Sequence, residues 1–149
     1  MAKASANISG LDALSRVADG KKVLDFAEEA LEESLEIGKE AMREAIETRG
    51  TGRTWEQPRG GRAGSYPGRV DRGDMLDDVD GKLLSRTTTT VSGQLGWDDG
   101  SPFYYSLQEG GFTHSITGEE VEGMMALHDA AEVAKRHLIQ ELEQIGRNI

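Results

Sequence analysis

Two histidine–glutamate pairs are the first candidates for chemistry in this sequence. His128 with Glu132, and His137 with Glu141, stand at the i, i+4 spacing that sets two side chains on one helix face, as a metal ion requires of a single element. The two pairs point in different directions and neither belongs to an HExxH motif, so solvated helix surface is the better reading of both. His114 has no partner visible in the sequence. Asp98 and Asp99 form a carboxylate pair, but Gly100 beside them marks a turn. Serine and threonine are common, yet no glycine-flanked nucleophile elbow occurs. Gly60-Gly61-Arg62-Ala63-Gly64-Ser65 lacks the Gly-Lys-Ser/Thr ending of a phosphate loop. No residue set qualifies as catalytic and no cofactor is implied; the expectation is a protein that is not an enzyme.

Charge offers a second kind of chemistry. The chain of 149 residues carries a formal charge of −10, but residues 49–72 hold six arginines against only Glu56 and Asp71. This basic segment lies in 49–74, a glycine-rich stretch without periodicity that reads as a long loop. Its arginines could grip phosphates bidentately while Trp55 and Tyr66 stack on bases, which would make it a nucleic-acid contact. The alternative is an arm that docks on the acidic surface of a neighbouring subunit, and the rest of the chain supplies such surface. We favour the arm, with Arg53, Trp55, Arg59, Arg62, Tyr66, Arg69 and Arg72 as its contact residues. Arg72-Gly73-Asp74 spells an integrin-type tripeptide that we read as chance.

The elements that position these groups follow from length and patterning. The length fits one domain with a single core, and aromatics at 5% make that core mostly aliphatic. The absence of cysteine removes disulfides and thiolate zinc sites. No apolar run has the length of a signal peptide or a membrane span, so the expectation is a soluble chain without membrane contact.

Residues 1–20 read as an N-terminal segment with a short helix capped by Ser9. Residues 21–48 read as a long helix stopped by Gly50. At 100° per residue Leu24, Ala27, Leu31, Leu35, Gly38, Met42, Ala45 and Ile46 form one stripe, and Val23, Phe26, Ala30, Ile37 and Ala41 a second beside it. Together they span an arc of roughly 200°, about twice what a helix on the edge of a monomer needs. Either the helix lies deep in its own core, or the second group packs on a neighbouring subunit.

Residues 75–111 read as the one β region, an antiparallel meander. Thr87 to Val91, five consecutive β-branched residues, give the clearest strand signal. Ser92-Gly93 then turns the chain, Gln94–Trp97 and Phe103–Leu107 supply further strands around a turn at 98–102, and Met75–Val79 with a turn at Asp80-Gly81 adds one ahead. A closing helix over 117–146 has Thr117 and Glu120 at capping-box spacing and a stripe of Met124, Leu127, Ala131, Ala134, Leu138, Leu142 and Ile145. The fold class is α+β, a small antiparallel sheet flanked by a long N-terminal and a C-terminal helix, with a long Gly/Arg-rich loop.

In this order the residues carry a resemblance. Tyr66-Pro67-Gly68, Asp71-x-Gly73-x-Met75-Leu76, Gly93-x-x-Gly96-Trp97 and Tyr105-x-x-x-Glu109-Gly110-Gly111 follow a long helix and precede an amphipathic one. The arrangement resembles the tail-component family of long-tailed bacteriophages, the neck proteins described as tail-completion, tail-terminator or head–tail joining proteins. The motif residues are Pro67, Gly68, Asp71, Gly73, Leu76, Gly96, Trp97, Tyr105, Glu109 and Gly110. The resemblance implies a structural virion protein at the top of the tail, assembled in the host cytoplasm into a homo-oligomeric ring, a hexamer. Its partners would be the tail-tube protein and the adaptor or stopper of the head connector, with DNA passing through the channel unbound. An acidic wall suits such passage, because fixed negative charge near the phosphate backbone disfavours tight binding. Rival expectations are a nucleic-acid-binding protein using Arg49 to Arg72, and an enzyme built on His128, Glu132 and the acids near Trp97.

Overall fold

A computed structural model of the chain describes residues 3–11, 20–49, 54–55, 64–65, 74–98, 100–102, 104–113, 118 and 120–147. The elements in chain order are β1 (Lys3–Ile8), α1 (Gly20–Thr48), β2 (Thr54–Trp55), β3 (Gly64–Ser65), α2 (Asp74–Asp77), β4 (Val79–Arg86), β5 (Val91–Trp97), α3 (Tyr104–Gly110), β6 (Gly111–Thr113), β7 (Glu120–Glu122) and α4 (Ala126–Arg147). The architecture is α+β: an antiparallel sheet in the order β1-β5-β4 with the long helix α1 and the C-terminal helix α4 packed on it. Two smaller antiparallel pairs, β2 with β3 and β6 with β7, complete the described strands. None of the described helices is long and apolar enough to cross a membrane.

Helix α1 has 29 residues, about 44 Å of rise at 1.5 Å per residue. The first stripe faces inward as its periodicity requires: Ala27, Leu31, Leu35, Met42, Ala45 and Ile46 are buried, and Leu24 is half-buried. The sheet beneath is thin. Its helix-facing positions pair Ala4 with Leu95 and Gly81, and Ala6 with Gly93 and Leu83. Small residues there let α1 approach closely: a Cβ on Gly93 would lie 2.9 Å from Leu35 Cδ1, and one on Gly81 3.0 Å from Lys39 Cγ. The opposite face is polar, with Ser5 and Lys82 flanking Gln94, and Asn7 and Ser85 flanking Ser92. Alternation of this kind is the period-2 signature of a sheet with one solvated side.

Several expectations are corrected here, each for a local reason. Lys3–Ile8 is a strand, although 75–111 read as the one β region; its Ala, Ser and Asn residues carry little strand propensity, and the pairing with β5, from Lys3 opposite Gly96 to Ile8 opposite Val91, determines it. Ser9 and Gly10 separate it from Leu11, which is helical. Thr87–Thr90 is a turn, not a strand. The Thr87 hydroxyl accepts the N–H groups of Thr89 and Thr90 at 3.3 and 3.0 Å, and Thr87 N–H donates to Thr90 C=O at 2.8 Å. Threonine serves a turn as readily as a strand when its hydroxyl can replace a backbone partner.

Asp80-Gly81 and Ser92-Gly93, read as turns, lie inside β4 and β5, where the close approach of α1 requires the glycines. Met75–Val79 divides into α2 and the first residue of β4. Phe103–Leu107, read as a strand, falls on α3 from Tyr104 onward, which sets Tyr105 and Glu109 on one helical face. The turn after Trp97 is present, with Ser101 N–H donating to Asp98 C=O at 2.9 Å. Helix α4 starts at Ala126 and not at Thr117; Glu120 belongs to β7, and Thr117 and Gly50 lie outside the described residues.

Candidate functional site

Helix α3 is the junction of the molecule. Tyr105 is fully buried, its ring 5.4 Å from that of Trp97, and its hydroxyl donates to Asp78 Oδ2 at 2.7 Å. Trp97 in turn donates its indole N–H to Met75 C=O at 2.9 Å. Four residues beyond Tyr105, the buried Glu109 receives the backbone N–H groups of Leu127 on Oε2 at 3.0 Å and of His128 on Oε1 at 2.9 Å. These are donors that the first turn of α4 cannot satisfy within the helix, and a carboxylate there also complements the helix dipole. Gly123 packs against the backbone of Glu109, Gly110 and Gly111 so closely that a Cβ would collide with it. Leu76 is half-buried against the core and Gly110 is exposed at the end of α3. The motif residues Trp97, Tyr105 and Glu109 thus form one structural unit that ties α2, α3 and α4 together; none is free to react.

Arg49, first of the six arginines, belongs to the same unit. Its Nη1 donates to Met124 C=O at 2.6 Å and lies 2.7 Å from Asp129 Oδ2. Asp129 also meets His128 Nδ1 at 3.1 Å, and the hydrogen bonds from His128 and then Arg49 hold its carboxyl below the ordinary aspartate range. His128 is therefore engaged with Asp129, and Asp98 with Lys82 Nζ at 2.9 Å. The bond to Asp98, with Asp80 adding to it, raises the Lys82 ammonium above the ordinary lysine range.

No protein-family model matches the chain, and no curated protein or solved structure is significantly similar to it.

The second stripe of α1 divides. Val23 and Ala30 are buried within the chain, at 3% and 4% exposure, so they serve its own core and not a neighbour. Ile37 and Ala41 are half-buried, while Phe26 is 53% exposed. The apolar stripe of α4 is likewise incompletely covered. Only Leu127 and Ala130 on the helix proper, with Ala126 at its start, are buried; Ala131, Ala134, Leu138, Leu142 and Ile145 are half-exposed, and Ile139 is 45% exposed. Helices α1 and α4 run antiparallel, with Ser34 beside His137 and Arg49 beside Asp129, so that register carries Phe26 toward the Leu142–Ile145 end of α4.

Strand β4 is an edge of the sheet. A bulge between Leu83 and Ser85 throws Leu84 out to 53% exposure, a device that protects an edge from adventitious pairing. A groove of about 590 Å³ runs beside this edge, lined by Glu32, Glu33, Glu36 and Ile37 of α1 and by Gly81–Leu83. At the hairpin end Arg86 joins Asp25 and Glu28 of α1 at 2.7 and 2.6 Å, which keeps its guanidinium firmly charged. Sequence reading missed this tie, since nothing in the spacing of Asp25, Glu28 and Arg86 announces it. Arg53, Arg59, Arg62, Tyr66, Pro67, Gly68, Arg69, Asp71, Arg72 and Gly73 lie outside the described residues, and Trp55 is placed only as the end of β2.

Proposed function

We propose that this chain is a structural subunit of the neck of a long-tailed bacteriophage. It forms a ring that completes or terminates the tail tube and joins it to the head connector, through which DNA passes. The reading begins from the motif order described above. The observation that carries it furthest is the half-covered apolar stripe of α4 together with exposed Phe26 on α1, apolar surface suited to burial against another copy or a partner. The acidic groove along β4 supports the same reading, because the segment 49–72 of a neighbouring copy supplies the complementary charge.

Nucleic-acid binding by residues 49–72 is weakened by Arg49, which is spent on Asp129 and Met124. The net charge of −10 also opposes association with a phosphate backbone. The deciding experiment is the mass of the purified protein by light scattering or native mass spectrometry, alone and with tail-tube protein. A ring in either sample supports the neck assignment. A persistent monomer that binds DNA in a salt-sensitive manner replaces it with the nucleic-acid reading.

A further inference from the structure

Beside the middle of α1, the structure gathers three ligand-type side chains from two helices. Glu33 of α1 and His137 and Glu141 of α4 place their ligand atoms all within 4.8 Å of one another. The histidine is oriented by a fourth residue. Ser34, buried to 2% exposure, has one hydroxyl proton, and it donates that proton to Ala30 C=O at 2.7 Å. Its contact with His137 Nδ1 at 2.9 Å must therefore run the other way, with Nδ1–H donating and Ser34 Oγ accepting. In the neutral ring this leaves the lone pair on Nε2, the nitrogen facing Glu141 Oε1 at 3.8 Å, which is too long for a hydrogen bond. A histidine whose Nδ1–H is tied to a buried acceptor while Nε2 faces a carboxylate has the support usual for a metal-ligating imidazole.

We propose that Glu33, His137 and Glu141 bind a divalent ion of the zinc class that staples α4 to α1. One imidazole with two carboxylates suits zinc, whereas magnesium and calcium prefer oxygen alone. Tetrahedral zinc with bonds of about 2.0–2.2 Å needs its donors roughly 3.3–3.6 Å apart, a contraction that rotation of the two glutamate side chains supplies. Three protein ligands leave a fourth position for water. The staple acts where α4 has few buried residues of its own, so its consequence is stability of the helix pair. Glu33 also lines the acidic groove beside β4, but zinc binding by the single chain is read out whether or not a ring forms.

The test uses the full chain without an affinity tag, titrated with zinc sulfate against a chromophoric chelator and melted with and without zinc. We expect one zinc per chain and a zinc-dependent rise in melting temperature, with Glu33→Gln and His137→Gln each weakening binding at least tenfold and abolishing the rise. His128→Gln changes neither. Should His137→Gln fail to fold, Glu33→Gln and Glu141→Gln decide, since both side chains lie toward solvent. Undiminished binding in the glutamate variants, loss of binding in His128→Gln, or an equal rise with magnesium overturns the proposal.

Discussion

Glu109 and Leu127, 18 positions apart, are joined by a hydrogen bond in which the buried carboxylate of α3 accepts the backbone N–H of α4 at 3.0 Å. The second oxygen accepts from His128 at 2.9 Å, so one side chain caps a helix to which it does not belong. Removing it leaves two buried or half-buried donors without partners. Glu109→Ala is expected to cost about 2–3 kcal/mol of stability, the sum of a lost cap and the desolvation of unpaired groups. Urea unfolding measures this, and a loss under about 0.5 kcal/mol would show that α4 starts without the cap.

Gly123 makes a sharper demand, because the atoms a Cβ would strike there belong to the backbone of Glu109, Gly110 and Gly111 and cannot rotate away. Gly123→Ala should destabilise by about 3 kcal/mol, at the upper end for overpacking. Gly100→Ala, where a Cβ meets nothing within 4 Å, is the matched control and should stay within about 1 kcal/mol. Equal midpoints for the two variants would contradict the packing described.

The proposed subunit face predicts a separation of assembly from folding. Phe26 is 53% exposed, so Phe26→Asp should lower monomer stability by no more than about 1.5 kcal/mol and leave the chain folded. Under the neck reading the same change prevents ring formation, alone or with tail-tube protein. Light scattering that finds the ring intact in Phe26→Asp would move the interface elsewhere.

Asp129 gives a pH dependence of known sign. Its folded carboxyl titrates below the ordinary aspartate range, first through His128 and second through Arg49. Its contribution to stability is therefore fully present above the unfolded value and is lost as pH falls through the folded one. Carbon-detected NMR titration should place the Asp129 midpoint low in the native protein and higher, though not fully normal, in Arg49→Gln. An unchanged midpoint in that variant would remove the Arg49 contact.

Much of the helical framework was legible because its signal is periodic and local. The 3.6-residue stripe from Leu24 to Ile46 places α1 to within a residue of its start, and the stripe from Leu127 to Ile145 places the body of α4. The sheet was less legible. The four threonines from Thr87 have the right composition for a strand, yet the ladder needed Gly81 and Gly93 beneath α1, so the threonines became the turn between β4 and β5. Lys3–Ile8 has almost no strand signal and exists as a strand because β5 offers it an edge.

The candidate sites divide along the same line. Sequence by itself determined the α+β class, the two amphipathic helices, the acidic balance and the isolated run of arginines, since each depends on composition or on spacing within one element. Only tertiary structure decided that Glu109 caps α4, that Arg49 is held by Asp129, and that Glu33 and Ser34 stand beside His137, 103 positions from Ser34. Those relationships join residues on different elements, and their energies arise when burial removes water from donors and carboxylates that the unfolded chain leaves hydrated and far apart.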